Sequence, residues 1–124
     1  MKLVLASKNA HKLVEMKDIL SQLGVEVVLE SEAGVDVDVE ETGATFEENA
    51  YLKAHAVMEA SGLPAIADDS GLCVDALNGA PGVYSARYGG PGLDDVGRYR
   101  LLLENMRGQL DRRCRFVSAI CCCF

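Results

Sequence analysis

Positive charge is scarce in this chain: twelve Lys and Arg face nineteen Asp and Glu, a formal net charge of −7 over 124 residues. Surfaces that bind a polyanion rely on clustered Lys and Arg to displace counterions, so this balance argues against a nucleic-acid partner. The one basic run, Arg112-Arg113-Cys114-Arg115, reads as a solvated approach to a strand. No apolar stretch reaches the length of a membrane span, which argues against a membrane partner. Met1 leads straight into a strand-like segment without a leader pattern, and the expected location is the cytoplasm. Among the five cysteines there is no C-x-x-C pair, so no disulfide or zinc framework is expected. Cys121, Cys122 and Cys123 are consecutive; in a strand they alternate between faces and read as packing groups. Repeats and low-complexity linkers are absent, and His11 and His55 lack the spacing of a metal pair.

What remains is an ordinary globular composition, 49% hydrophobic and 25% charged, of a length that suits one domain, residues 1–124. Lys2 to Ala6 is a short apolar run that suits a buried strand. Leu13, Met16, Leu20 and Leu23 recur at helical spacing, Gly24 stands at the expected C-terminal cap, and Val25 to Leu29 reads as the next strand. Residues 30–43 alternate Val with acids, which predicts a half-exposed extended segment ending at Gly43. Thr45-Phe46-Glu47-Glu48 is a capping box with Thr45 as N-cap and Glu48 reaching back, and it starts a helix to about Ser61, stopped by Gly62 and Pro64. Pro64 to Asp68 and Leu72 to Ala76 read as two short strands around a tight Asp-Asp-Ser-Gly turn. After Gly89-Gly90-Pro91-Gly92, Asp94 or Asp95 can cap a helix to about Met106. Cys114 to Phe124 has the unbroken apolar pattern of a central strand covered on both faces. A chain that stops inside such a strand is expected to be the N-terminal portion of a longer protein, and the strand's exposed edge predicts aggregation.

Three segments carry the chemistry. Ser7-Lys8-Asn9-Ala10-His11-Lys12 lies between a strand and a helix, where backbone N–H groups and the helix dipole favour an anion. It is not a P-loop, since the glycines and the Gly-Lys-Ser/Thr ending are missing. Asp68 and Asp69 close a strand, the place where ligands gather in an open α/β sheet; one of them faces the site, able to bind magnesium or polarise a water. Glu40 and Glu41 precede a glycine and a capped helix. The same residues also suit plainer roles, as a capped connector, an Asx turn and a helix N-terminus, and Lys53 alone reads as a surface lysine.

Taken together, these segments resemble the Ham1-like inosine triphosphate pyrophosphatases, also called dITP/XTP pyrophosphatases. The matching stretches are the Ser7 to Lys12 loop, Glu41-Thr42-Gly43-Ala44-Thr45-Phe46-Glu47-Glu48-Asn49-Ala50 with Lys53-Ala54, and Ala67-Asp68-Asp69-Ser70-Gly71-Leu72 running on to Gly79-Ala80-Pro81-Gly82-Val83-Tyr84-Ser85-Ala86-Arg87-Tyr88. The resemblance implies an α/β fold of the Ham1/Maf-like kind, a mixed twisted sheet flanked by helices, incomplete at its C-terminal end. It implies hydrolysis of ITP, dITP and XTP to the monophosphate and pyrophosphate, with Mg2+ as cofactor and usually as a homodimer. Carried over by position, Ser7, Lys8, Asn9, Ala10, His11 and Lys12 would cradle the triphosphate of a nucleoside triphosphate substrate. Glu41 and Asp69 would hold the metal, Asp69 would also accept the proton of the attacking water, Ser70 would contact substrate and Lys53 could add a phosphate contact. Family members continue with a Phe-Gly-Tyr-Asp-Pro segment and a late Ser-His-Arg segment that recognise the base, and neither occurs here. The alternatives are a non-catalytic remnant that binds metal or nucleotide or only dimerises, and a Maf-like phosphohydrolase acting on other nucleotides.

Overall fold

The computed structural model describes all residues from Met1 to Phe124. Its elements are β1 (Lys2–Leu5), α1 (Ala10–Leu20), β2 (Glu26–Leu29), α2 (Phe46–Ser61), β3 (Ala65–Val74), α3 (Asp95–Asn105) and β4 (Cys114–Cys123), with short 3-10 turns at Ser21–Leu23, Asp75–Leu77 and Gly82–Arg87. The strands form a mixed four-stranded sheet in the order β2-β1-β3-β4, with β1 parallel to both β2 and β3. No helix is long and apolar enough to cross a membrane.

The chain divides into two compact units, the first comprising Met1–Asp69 with Ala119–Phe124, the second Ser70–Ser118. In the first unit, the two-residue period of the strands sorts the apolar side chains into two layers. Leu3, Leu5, Val27 and Ile66 pack with Leu13 of α1, whereas Val4, Ala6, Val28, Ala65 and Ala67 pack with Ala54 and Val57 of α2. Each helix therefore covers one face of the sheet. Val4 and Leu5 are fully buried, each contributing about 1.5–3 kcal/mol relative to exposure. Helix α1 begins where the Asn9 side chain accepts the His11 N–H, and it stops at Leu20; Leu23 lies beyond it and is exposed, so the apolar stripe is one residue shorter than its spacing suggested. Thr45 caps α2 by accepting the Glu48 N–H at 3.1 Å, while the Glu48 carboxylate accepts from the Ala44 N–H at 2.8 Å, one residue upstream of the expected partner.

Two expectations fail. Asp68 to Gly71 is not a turn: β3 runs unbroken from Ala65 to Val74. Its polar residues find partners in the extended conformation, with lysines from α1 and α2 meeting Asp68 and Asp69, and the Ser85 hydroxyl accepting the Leu72 N–H at 3.0 Å. The chain does reverse at Asn78-Gly79, where Asn78 adopts φ 55°. Second, β4 lies at the edge of this chain's sheet, not at its centre; Phe116 and Ile120 on it are 72% and 62% exposed, and Phe124, just beyond it, is 77% exposed. Within the second unit, Asp94 caps α3 by accepting the Gly97 N–H at 2.7 Å.

Candidate active site

β1 feeds α1 and then β2 on one side, while β3 lies on its other side, so the strand order reverses at β1. In an open α/β sheet, the crevice outside the carboxyl ends of the strands at such a reversal is where ligands bind. The Ser7 to Lys12 loop leaves β1 here. Ala6 N–H bonds the Ile66 carbonyl at 2.8 Å, and β3 continues past that level to present Asp68 and Asp69.

The loop is held by its own polar groups. Ser7 Oγ accepts the Asn9 N–H at 3.0 Å and Asn9 Oδ1 accepts the His11 N–H at 2.9 Å, which leaves Lys8, Ala10 and His11 exposed. Lys8 Nζ lies 3.5 Å from Asp36 Oδ1, an exposed pair. Lys12, from the first turn of α1, reaches Asp68 Oδ1 at 2.9 Å. On the other face of the sheet, Lys53 of α2 lies 2.9 Å from Glu41 Oε1 and 3.5 Å from Asp69 Oδ1, and it donates to the Asp68 carbonyl at 2.7 Å. The neighbouring aspartates thus diverge to opposite faces, each meeting a lysine of the helix that covers that face.

Glu41 is selected over Glu40 by the segment that carries them. Residues 35–43 do not join the sheet, but their burial alternates, so Glu41 turns inward while Glu40 faces solvent. Asn49, fully buried on α2, fixes the end of this segment by accepting the Gly43 N–H on Oδ1 at 2.8 Å. A Cβ on Gly43 would stand 2.6 Å from Glu48 Cβ and 2.7 Å from Asn49 Oδ1, so the close approach requires glycine.

Burial raises the pKa of Asp69; the Lys53 ammonium opposes that shift and the Glu41 carboxylate adds to it. Asp69 Oδ2 is buried without a hydrogen-bond partner. Two carboxylates gathered around an ammonium, one with an oxygen to spare, form a donor set that fits a hard cation. No group of three or more His, Cys, Asp or Glu converges. Glu41 and Asp69 could therefore supply a pair of ligands, the number with which Mg2+ is commonly bound when water and phosphate oxygens complete its shell.

Ser70 belongs to the second unit, where its hydroxyl lies 3.3 Å from that of Ser118. Sequence reasoning gave no role to two buried polar residues. Asn49 had a signal, since a polar residue three positions after Phe46 interrupts the buried stripe of α2. Glu30 had almost none, being a single acid after β2. It is 7% exposed with Oε2 unpartnered, and it lines a cavity of about 560 Å3 with Ser7, Lys8, Val35 and Asp36. Burial raises its pKa, with Lys8 opposing.

A model of the Ham1 family matches residues 3–124. A dITP/XTP pyrophosphatase of Haemophilus influenzae is 54% identical over 121 residues, covering 96% of this chain and 62% of that protein. One from Shigella flexneri is 51% identical over 117 residues, covering 93% and 59%. The solved structure of a HAM1 protein from Coxiella burnetii superposes with a TM-score of 0.92 at 44% identity, covering 98% of this chain and 62% of that one. The Staphylococcus aureus Ham1 protein gives 0.89 at 46%, covering 99% and 63%. The chain thus spans about three fifths of the length of these relatives.

Proposed function

The chain belongs to the Ham1 family, and we propose that it carries the phosphate-handling and metal-handling part of a pyrophosphatase that hydrolyses ITP, dITP and XTP to the monophosphate and pyrophosphate. The observation that carries this reading is the meeting of Glu41 and Asp69 on Lys53 Nζ, at the end of β3 where the strand order reverses. The names of the curated relatives support the substrate class.

In this reading the Ser7 to Lys12 loop receives the triphosphate, with Ser7 and Asn9 locking the loop through the Asn9 and His11 N–H groups, Ala10 supplying an N–H at the start of α1, His11 lining the loop, and Lys8 and Lys12 neutralising phosphate charge. Glu41 and Asp69 would hold Mg2+, which when bound offsets phosphate charge and lowers the pKa of coordinated water. Asp69 is also the group that accepts a proton as water attacks the α-phosphorus and the bond to the bridging oxygen breaks, releasing pyrophosphate. Lys53 steadies both carboxylates and then turns to phosphate oxygens, and Ser70, next in the chain, contacts substrate. The working form is a cytoplasmic homodimer that engages neither nucleic acid nor membrane.

The test is turnover. The purified chain is mixed with ITP and Mg2+ and pyrophosphate is measured, with Asp69→Asn expected to lower the rate by about 10²–10⁴-fold, the usual contribution of general base catalysis. Nucleotide binding without pyrophosphate release would replace this reading with a binding module. Release from canonical or modified pyrimidine substrates instead would move the chain to Maf-like chemistry.

A further inference from the structure

Two of the cysteines near the end of β4 form a pair that the proposed reaction does not use. Cys121 and Cys123 point to the same face, with Sγ atoms 4.0 Å apart, both reduced and both half-buried against the core layer that holds Val57, Ala65 and Ala67. Cys122, between them, is exposed. Alternation along the strand turns Cys122 the other way.

We propose that Cys121 and Cys123 are a two-thiolate site for a thiophilic d10 cation of the zinc, cadmium or cuprous type. Joining the two sulfurs directly is unfavourable. Residues two apart in a strand have Cα atoms about 6.6–6.8 Å apart, the extreme end of the disulfide range of about 4.4–6.8 Å. A bridging atom needs no such contraction, since two bonds of about 2.3 Å, the zinc–thiolate length, span the observed separation at an angle of about 120°. Binding is not a redox step: two S–H bonds give way to two metal–sulfur bonds, two protons leave to solvent, and the cation sheds coordinated water. The apolar wall behind the pair favours this cation over Mg2+, because soft thiolates select soft metals. Without a cation, burial keeps the Cys123 thiol protonated, with the hydrogen bond to Cys121 acting in the same direction.

Cadmium is the probe, because its thiolates give a near-ultraviolet charge-transfer band. One equivalent of Cd2+ added to the reduced chain is expected to produce that band. Cys121→Ser and Cys123→Ser are each expected to lose it, while Cys122→Ser keeps it. Magnesium is expected to leave the cadmium in place, since soft thiolates hold it in preference to a hard cation. In the unmutated chain, which removes any question of folding, cadmium is expected to protect Cys121 and Cys123 together from alkylation while Cys122 still reacts. Absence of the band, its survival in Cys121→Ser or Cys123→Ser, its loss in Cys122→Ser, displacement by magnesium, or protection of other cysteines instead would overturn the assignment.

Discussion

Lys53 Nζ sits 2.9 Å from Glu41 Oε1, joining a helix to a segment outside the sheet that has no strand partner to hold it. The same ammonium lies 3.5 Å from Asp69 Oδ1. All three side chains are mostly buried, so the ammonium offsets two carboxylates that water screens poorly.

Lys53→Met is therefore expected to destabilise the chain by about 1–3 kcal/mol at neutral pH, since it leaves Glu41 and Asp69 facing each other without a cation. Mg2+ should restore part of that loss, because it fits the same pair of acids. Thermal denaturation with and without Mg2+ checks this. An equal response to Mg2+ in the variant and the unmutated chain would contradict a shared cation position.

Glu30 gives a prediction in pH. Its folded pKa lies above the ordinary glutamate value because of burial, so the native state binds more protons than the unfolded chain between the two values, and stability falls as pH rises through that window. Glu30→Gln removes the buried charge. The variant should be more stable than the unmutated chain at neutral pH, and the advantage should vanish below the unfolded glutamate pKa. Urea denaturation across pH 3 to 7, roughly the range over which carboxylates titrate, reads the difference directly. An advantage that is constant with pH would mean that the carboxyl is not responsible.

Much of this arrangement was legible in the sequence, for reasons that can be named. The helix limits at Asn9, Thr45, Gly62 and Asp94 follow from local hydrogen bonding and backbone conformation, which short spacings encode. The separation of Leu3 and Leu5 from Val4 and Ala6 follows from the strand period. Asp68 to Gly71 misled because Asp, Ser and Gly are turn formers only when nothing else satisfies them; here Lys12 and Lys53, distant in sequence, do so. The position of β4 was equally hidden, since an apolar run reports what a strand needs covered, not which strand lies beside it. Convergence of Glu41 with Asp69 was an expectation from resemblance, and no local pattern contains it.

The exposed side chains of β4 have a consequence for behaviour in solution. Phe116 and Ile120, more than half exposed on an edge strand, offer apolar surface and a row of backbone groups to another chain. Ile120→Lys is expected to lower self-association, seen by light scattering, with a change in unfolding free energy within about 0.5 kcal/mol, as for other surface positions. Unchanged association would place the sticky surface elsewhere.

Gly43 offers the sharpest separation of site geometry from stability. An added Cβ would collide with Glu48 Cβ and Asn49 Oδ1. Relief of that collision requires the segment to move away from α2, breaking the 2.8 Å bond from Gly43 N–H to Asn49 and carrying Glu41, two residues upstream, off Lys53. Gly43→Ala should thus cost about 1–3 kcal/mol for the orphaned buried amide and also raise the Mg2+ concentration needed for half-maximal activity or binding. Thr45→Ala is the control: it loses the α2 cap, about 1 kcal/mol, without pushing on the Glu41 segment. If loss of helix stability were the whole effect, both variants would need extra Mg2+ in proportion to their destabilisation. Displacement of Glu41 predicts a rise for Gly43→Ala alone, and Mg2+ titrations of the two variants beside their denaturation curves distinguish the outcomes.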